Sequence, residues 1–137
     1  MGAQMKEVGG PMMIHPGVYT SGELGQGIKE QSLFLKTPKG LVVLTGCAHP
    51  GIAQIAEEAR RLLEDKVHLV IGGLHLSGHS RSQIIAIAER LDATGMEKIA
   101  PCHCSGDVAR DILSSRYVEN YMPCGVGLLF EIPSLQR

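Results

Sequence analysis

The chain has 137 residues, a net charge of −1, 44% hydrophobic and 20% charged residues, which suits one globular domain. The near-zero net charge, together with no Trp, two Phe and three Tyr, argues against nucleic acid or an anionic membrane as a partner. No apolar run is long enough to cross a bilayer and the N-terminus shows no signal-peptide pattern, so we expect a cytoplasmic protein.

The N-terminal part of the chain predicts little regular structure before a β-hairpin. Residues 1–16 are expected to be irregular, and residues 17–137 to form an α/β domain. A short strand is predicted at residues 18–20. The segments "SLFLKT" and "GLVVLTG", residues 32–37 and 40–46, flank a Pro-Lys turn and are typical of the two strands of a hairpin.

After the hairpin, apolar strands alternate with amphipathic helices. The helices show apolar residues at helical spacing, and Ser80 or Ser82 is a candidate N-cap for the second one. Such alternation implies helices packed on a sheet whose middle strands are parallel. The predicted helices are 51–65, 80–95 and 106–117, and the predicted strands after the hairpin are 67–73, 98–101 and 125–132.

The order of these elements also predicts how the sheet is covered. Right-handed crossovers between successive parallel strands place all three helices on one face. The strand segments "LVVL", "LVI" and "LLF" are apolar at consecutive positions, which is typical of strands buried on both faces. The second face then needs a covering partner, so we predict a homodimer that packs sheet on sheet.

Three histidines follow predicted strands: His49, His75 and His103. Because the carboxyl ends of parallel strands meet at one edge of a sheet, we expect neighbouring imidazoles to lie within about 10 Å of each other. For each histidine alone a turn or capping role is the commoner explanation. Three in equivalent positions favour a metal site, since imidazole is the commonest metal ligand.

The four cysteines are predicted to be free thiols, because a disulfide framework belongs to smaller domains with little core. Cys47 and Cys124 are expected to be small buried residues. Cys102 and Cys104 form a C-x-C pair that could bind a soft metal. However, no second knuckle of a zinc ribbon occurs in the sequence.

The other histidines and the glycines carry weaker signals. His68 lies inside a strand and is expected to be a packed residue, whereas His79 precedes a helix and either caps it or binds substrate. The chain has no G-x-G-x-x-G motif, no P-loop lysine and no G-x-S-x-G motif. Nucleotide binding and serine-hydrolase chemistry are therefore disfavoured.

Three motifs, "GIKEQSLFLKTPKGLVVLTGCAHPGI", "VIGGLHL" and "PCHCSG", together resemble the metallo-β-lactamase superfamily. Within it they are most similar to the dihydropterin-linked ribofuranosyl-aminobenzene phosphate synthase-like proteins. The resemblance covers residues 17–132. It implies an α/β fold with a mixed sheet and helices on one face, corresponding to the second half of an αββα sandwich.

The resemblance also implies a divalent metal cofactor, zinc with manganese or iron as the alternatives. His49 matches the first of the family's later metal-ligand positions, and His103 matches the last. His75 falls near the position of a bridging ligand. The remaining candidates, which would bind substrate or support the ligands, are His79, Cys47, Cys102 and Cys104.

The family's first-half motif, H-x-H-x-D-H, is absent from the chain, which leaves three hypotheses. The first is a metal-dependent hydrolase of a small molecule whose first half is a separate polypeptide or has been removed. In it the metal would lower the pKa of water and so generate the nucleophile. The second is a non-catalytic metal-binding module that homodimerises. The third is a structural remnant without metal, whose histidines cap helices.

Overall fold

The computed structural model describes residues 2–132 and 134–135. Within them lie one mixed six-stranded sheet and three α-helices, so the predicted α/β class is confirmed. The strands lie side by side in chain order. They are β1 Met12–His15, β2 Val18–Thr20, β3 Leu33–Thr37, β4 Gly40–Thr45, β5 Val67–Gly73 and β6 Lys98–Cys102, and the helices are α1 Ile52–Leu63, α2 Arg81–Ala93 and α3 Asp107–Tyr117.

Turns or a loop join the antiparallel strands, whereas helices join the parallel ones. Strands β1 to β4 pair antiparallel, and β4, β5 and β6 pair parallel through the crossovers α1 and α2. The Thr37 hydroxyl closes the β3–β4 turn by donating to the Gly40 carbonyl over 2.7 Å. Gly40 has φ +120°, and a Cβ there would lie 2.7 Å from the Lys66 carbonyl oxygen. The predicted hairpin is therefore confirmed, and glycine is required at its turn.

The start of α2 has the predicted serine cap. Ser80 Oγ accepts from the Gln83 amide at 3.4 Å, and Gln83 Oε1 accepts from the Ser80 amide at 2.8 Å. This reciprocal capping box satisfies two backbone donors that the first turn leaves unpaired. None of the helices in the described part of the chain is both long enough and apolar enough to span a membrane.

All three helices pack on the same face of the sheet, as predicted. Side chains from each helix share one buried cluster with alternate residues of the central strands. Ile55 of α1, Ile84 of α2 and Val70 of β5 are fully buried within it. Other members of this cluster are Phe34, Leu41, Val43, Ile52, Leu91, Ile99 and Leu113.

The second face of the sheet is covered in part by the chain's own C-terminal segment, residues 122–132. Val42, Leu69 and Ala100 on this face are buried, and Phe130 of the segment packs against them. The premise that this face requires a partner from outside the chain was therefore wrong for the central part of the face. Consecutive apolar residues do mark burial on both faces, but a segment of the same chain provides the second cover.

The same segment corrects the prediction of a strand at residues 125–132. The structure has a turn at its start, where the Leu128 amide donates to the Gly125 carbonyl over 3.2 Å, and residues 129–132 form no strand. Gly127 has φ +86°, which breaks an extended run. Pairing beside β6 ends earlier, at an isolated bridge between Ile99 and Tyr121. Of residues 125–132, Phe130 and Ile132 pack on the sheet, and they do so without strand pairing.

The N-terminal segment also differs from its prediction. Residues 12–15, expected to be irregular, form strand β1, in which Met12 pairs with Thr20 and Met13 with Tyr19. Its apolar residues are consecutive and do not alternate with polar ones, and most of the strand is exposed. Met1 of the segment predicted as irregular lies outside the described residues.

Candidate metal centre

The three strand-end histidines lie at one edge of the sheet, which we call the rim. His49 follows β4, His75 follows β5 and His103 directly follows β6. Because these strands are parallel neighbours, their carboxyl ends meet there. The ring centroids of His49 and His75 are 4.4 Å apart, within the predicted distance. The shared edge is therefore confirmed, whereas metal ligation by these histidines remains a prediction.

The backbone at the rim is strained at each strand end. Ala48, His75 and His103 have φ of +63°, +52° and +49°, a left-handed conformation that costs a non-glycine residue about 1–2 kcal/mol. Such strain persists only where the surroundings enforce it, and it clusters at functional sites. The backbone at His75, at His103 and just before His49 is thus held in a strained conformation by its surroundings.

A carboxylate fixes the orientation of His49. Glu30 accepts hydrogen bonds from the His49 ring Nδ1 and, over 3.1 Å, from its backbone amide. An ionised carboxylate can only accept, so the Nδ1 atom must carry the proton. The lone pair is then on Nε2. This is the carboxylate–histidine arrangement that orients metal ligands in proteins.

Glu30 is the residue that sequence reasoning missed. It lies before β3, in a loop closed by paired backbone hydrogen bonds of 2.8 and 3.0 Å between Leu24 and Glu30. The distance between Glu30 and His49 along the chain carries no recognisable spacing. The only sequence signal was a carboxylate in a glycine-rich loop, and that signal is weak.

His79 lies beside the other histidines of the rim. A cavity of about 160 Å³ is lined by His49, His75 and His79, together with Ile87 and Arg90 of α2. His75 is exposed and His79 is half-buried. The cavity combines apolar walls with imidazole and guanidinium groups, a composition suited to a small polar ligand.

Two thiols extend the rim on the side of His103. The Cys104 thiol donates to the Cys47 carbonyl over 3.4 Å, and both side chains are half-buried. Burial raises the pKa of the Cys47 thiol, and the neighbouring Cys104 thiol adds to the increase. Cys47 thus lies beside a second thiol and is half-buried, whereas it was expected to be a small buried residue.

The remaining cysteines and His68 lie apart from these groups. Burial raises the pKa of the Cys102 thiol, and the thiol of Cys124 next to it raises it further. All four cysteines are free, as predicted. His68 is buried and its Nδ1 pairs with the Glu97 carboxylate at 2.9 Å, which confirms it as a packed residue.

The donor set of the rim fits a divalent metal. The ligand atoms of Cys47, His103 and Cys104 all lie within 4.8 Å of one another, and so do those of Glu30, Cys47 and His49. Imidazole, thiolate and carboxylate are the three ligand types that zinc takes in proteins. Cys47 belongs to both groups and connects them.

The fold has a counterpart among solved structures. A crystal structure of a metal-dependent hydrolase of the β-lactamase superfamily superposes with a TM-score of 0.82 and is 26% identical in sequence. The match covers 96% of this chain and 58% of that one. The chain therefore has a metallo-β-lactamase-like fold. Its sheet with three helices corresponds to part of that fold.

Sequence comparison agrees with this assignment. The chain is 27% identical to the 7,8-dihydropterin-6-methyl-4-(β-D-ribofuranosyl)-aminobenzene-5′-phosphate synthase of Methanocaldococcus jannaschii, with 81% of this chain and 47% of the synthase covered. It is 32% identical to an uncharacterized protein of the same archaeon, with 79% and 41% covered. No family model matches. The chain spans about half the length of the curated relatives it matches.

Proposed function

We propose that this chain, which has a metallo-β-lactamase-like fold, contributes ligands to a metal-dependent hydrolase site that acts on a small molecule. The observation that supports it is the convergence of His49, His75 and His103 at one edge of the sheet, with His49 oriented by Glu30. The four free thiols suit a reducing cytoplasm as its location.

In this proposal His49 and His103 bind the divalent metal, zinc or alternatively manganese or iron. Glu30 keeps the Nδ1 proton of His49 in place, so that the Nε2 lone pair would be available to a metal. A bound metal of this kind supplies Lewis acidity for hydrolysis. His75 and His79 line the 160 Å³ cavity and would position the substrate there.

The complete site requires ligands beyond those of this rim. The sequence contains no H-x-H-x-D-H motif, which in the family supplies most of the ligands. We propose that a first-half segment or separate polypeptide with that motif packs beside the rim. The three exposed or half-exposed histidines of the rim are free to face it.

Metal analysis tests the binding part of this proposal. Protein purified without a histidine tag should contain a stoichiometric divalent metal, measured by inductively coupled plasma mass spectrometry. The variant with both His49→Ala and His103→Ala should lose that metal. His15→Ala, an exposed histidine of β1, is the matched control and should retain it. Wild-type metal content in the double variant would refute ligation by His49 and His103.

An activity assay tests the hydrolase part. We expect phosphodiester, lactone or thioester hydrolysis when the chain is mixed with a first-half polypeptide and zinc, manganese or iron. His49→Ala should abolish the increase, while His15→Ala should leave it intact. Activity of the mixture no higher than that of either component, across all three substrate classes, would contradict the proposal.

A non-catalytic module that homodimerises is the second candidate. Leu44 and Ile71 on the second sheet face remain partly exposed, and Val126 and Leu129 of the C-terminal segment are largely exposed. A second copy packed on this surface would bury them. Sedimentation equilibrium at micromolar concentration should then give a dimer, which Leu129→Asp weakens and Met5→Asp, at another exposed site, does not. A monomer at these concentrations would exclude this module.

A further inference from the structure

Cys47, His103 and Cys104 form a compact group whose geometry is close to that of a single metal site. Their two sulfur atoms and one ring nitrogen lie within 4.8 Å of one another. Two sulfur ligands at about 2.3 Å from one tetrahedral zinc lie about 3.8 Å apart. Small side-chain rotations are therefore enough to bring the three atoms onto one ion.

The fold builds this proximity at a close approach of two backbones. Gly73, at the end of β5, lies next to both Cys47 and Cys104. A Cβ at this position would lie 2.9 Å from Cys104 Sγ and 3.2 Å from Cys47 Cα. The Gly73 amide also donates to the Gly46 carbonyl over 3.1 Å. The absence of a side chain at Gly73 is thus what lets the two thiols approach each other.

The turn that carries His103 and Cys104 is held independently of any metal. Buried Ser105 donates to the Cys102 carbonyl over 2.6 Å and accepts from the Leu74 amide at 3.3 Å. These bonds fix the turn after β6 against the strand end of β5. His103 adopts its left-handed backbone conformation within this turn, and a nitrogen of its ring lies within 4.8 Å of the Cys104 sulfur.

We infer that Cys47, His103 and Cys104 form a zinc site in which two thiolates and one imidazole are ligands and the fourth position is open. Binding replaces one proton on each thiol by the metal, and both protons pass to solvent. Sulfur ligands favour zinc over manganese or magnesium. The inference rests on the proposed function only through His103, and it specifies the metal that this side of the rim selects.

Cobalt(II) substitution tests the inference without any activity assay. The reduced chain titrated with Co²⁺ should develop a sulfur-to-cobalt charge-transfer absorption, which Zn²⁺ then displaces. Cys47→Ser and Cys104→Ser should each lose most of this absorption. Each should also weaken Zn²⁺ binding by more than the roughly 10–100-fold that loss of an outer partner costs. Cys124→Ser, a half-buried cysteine outside the group, should behave as wild type.

Alkylation with mass spectrometry gives a second readout that does not depend on a folded variant. Zn²⁺ should protect Cys47 and Cys104 from iodoacetamide in the wild-type chain, while Cys124 reacts at its metal-free rate. Equal reactivity of Cys47 with and without Zn²⁺, or cobalt binding without the charge-transfer absorption, would overturn the inference. Metal binding that depends on His49 but shows no sulfur signal would leave the proposed function standing. A sulfur-to-cobalt absorption without hydrolysis would support the inference and contradict the proposed function.

Discussion

Replacing Gly73 by alanine is expected to lower the free energy of unfolding by about 1–3 kcal/mol, the usual cost of overpacking. The new methyl group would overlap the Gly46 carbonyl oxygen, which is backbone and cannot rotate away. The ends of β4 and β5 must therefore separate, and the Gly73–Gly46 hydrogen bond is lost. Urea unfolding followed by circular dichroism measures the change through the transition midpoint.

Gly46→Ala is the matched control for this substitution. A Cβ at Gly46 meets no atom within 4 Å, and the backbone there is not left-handed, so we expect a change within about 0.5 kcal/mol. Gly73→Ala should also weaken Zn²⁺ binding, because it displaces Cys104 from Cys47. Equal unfolding midpoints for the two variants would show that the strand ends relax freely and that Gly73 is not required.

Replacing Glu30 by alanine is expected to weaken divalent-metal binding by about 10–100-fold, the range found for partners that orient a ligating histidine. Without the carboxylate, His49 loses its acceptor at Nδ1 and can rotate or change tautomer. Isothermal titration with Zn²⁺ measures the affinity. Glu30→Gln should lie between wild type and Glu30→Ala, since its amide oxygen can accept the same bond without the charge.

The tautomer of His49 can be checked without metal. Nitrogen chemical shifts of ¹⁵N-labelled histidine should show the proton on Nδ1 in the wild-type chain and a mixture of tautomers in Glu30→Ala. Glu23→Ala serves as the control, since that carboxylate is exposed and pairs with Lys29 instead. A His49 proton on Nε2 in the wild-type chain would contradict the assigned orientation, whatever the metal affinity.

The sequence by itself determined most elements from Val18 to Tyr117. Helical spacing located α1, the serine before α2 marked its start, and the apolar run of β5 matched its observed bounds, Val67–Gly73. These signals are local, because periodicity, caps and turn residues act within a few positions of the chain. The shared edge of His49, His75 and His103 also followed from the sequence, since the order of strands and helices dictates where parallel strands end.

Only the tertiary structure decided which groups meet at that edge. Glu30 reaches His49 from a loop 19 residues away, and Cys47 meets Cys104 across 57 residues, so no local spacing could indicate either pair. The cover of the second sheet face was likewise a tertiary outcome. Residues 125–132 are apolar enough to be buried, but burial is not directional. Phe130 and Ile132 pack against the cluster of Val42 and Leu69 without forming a strand, while Val126 and Leu129 stay exposed.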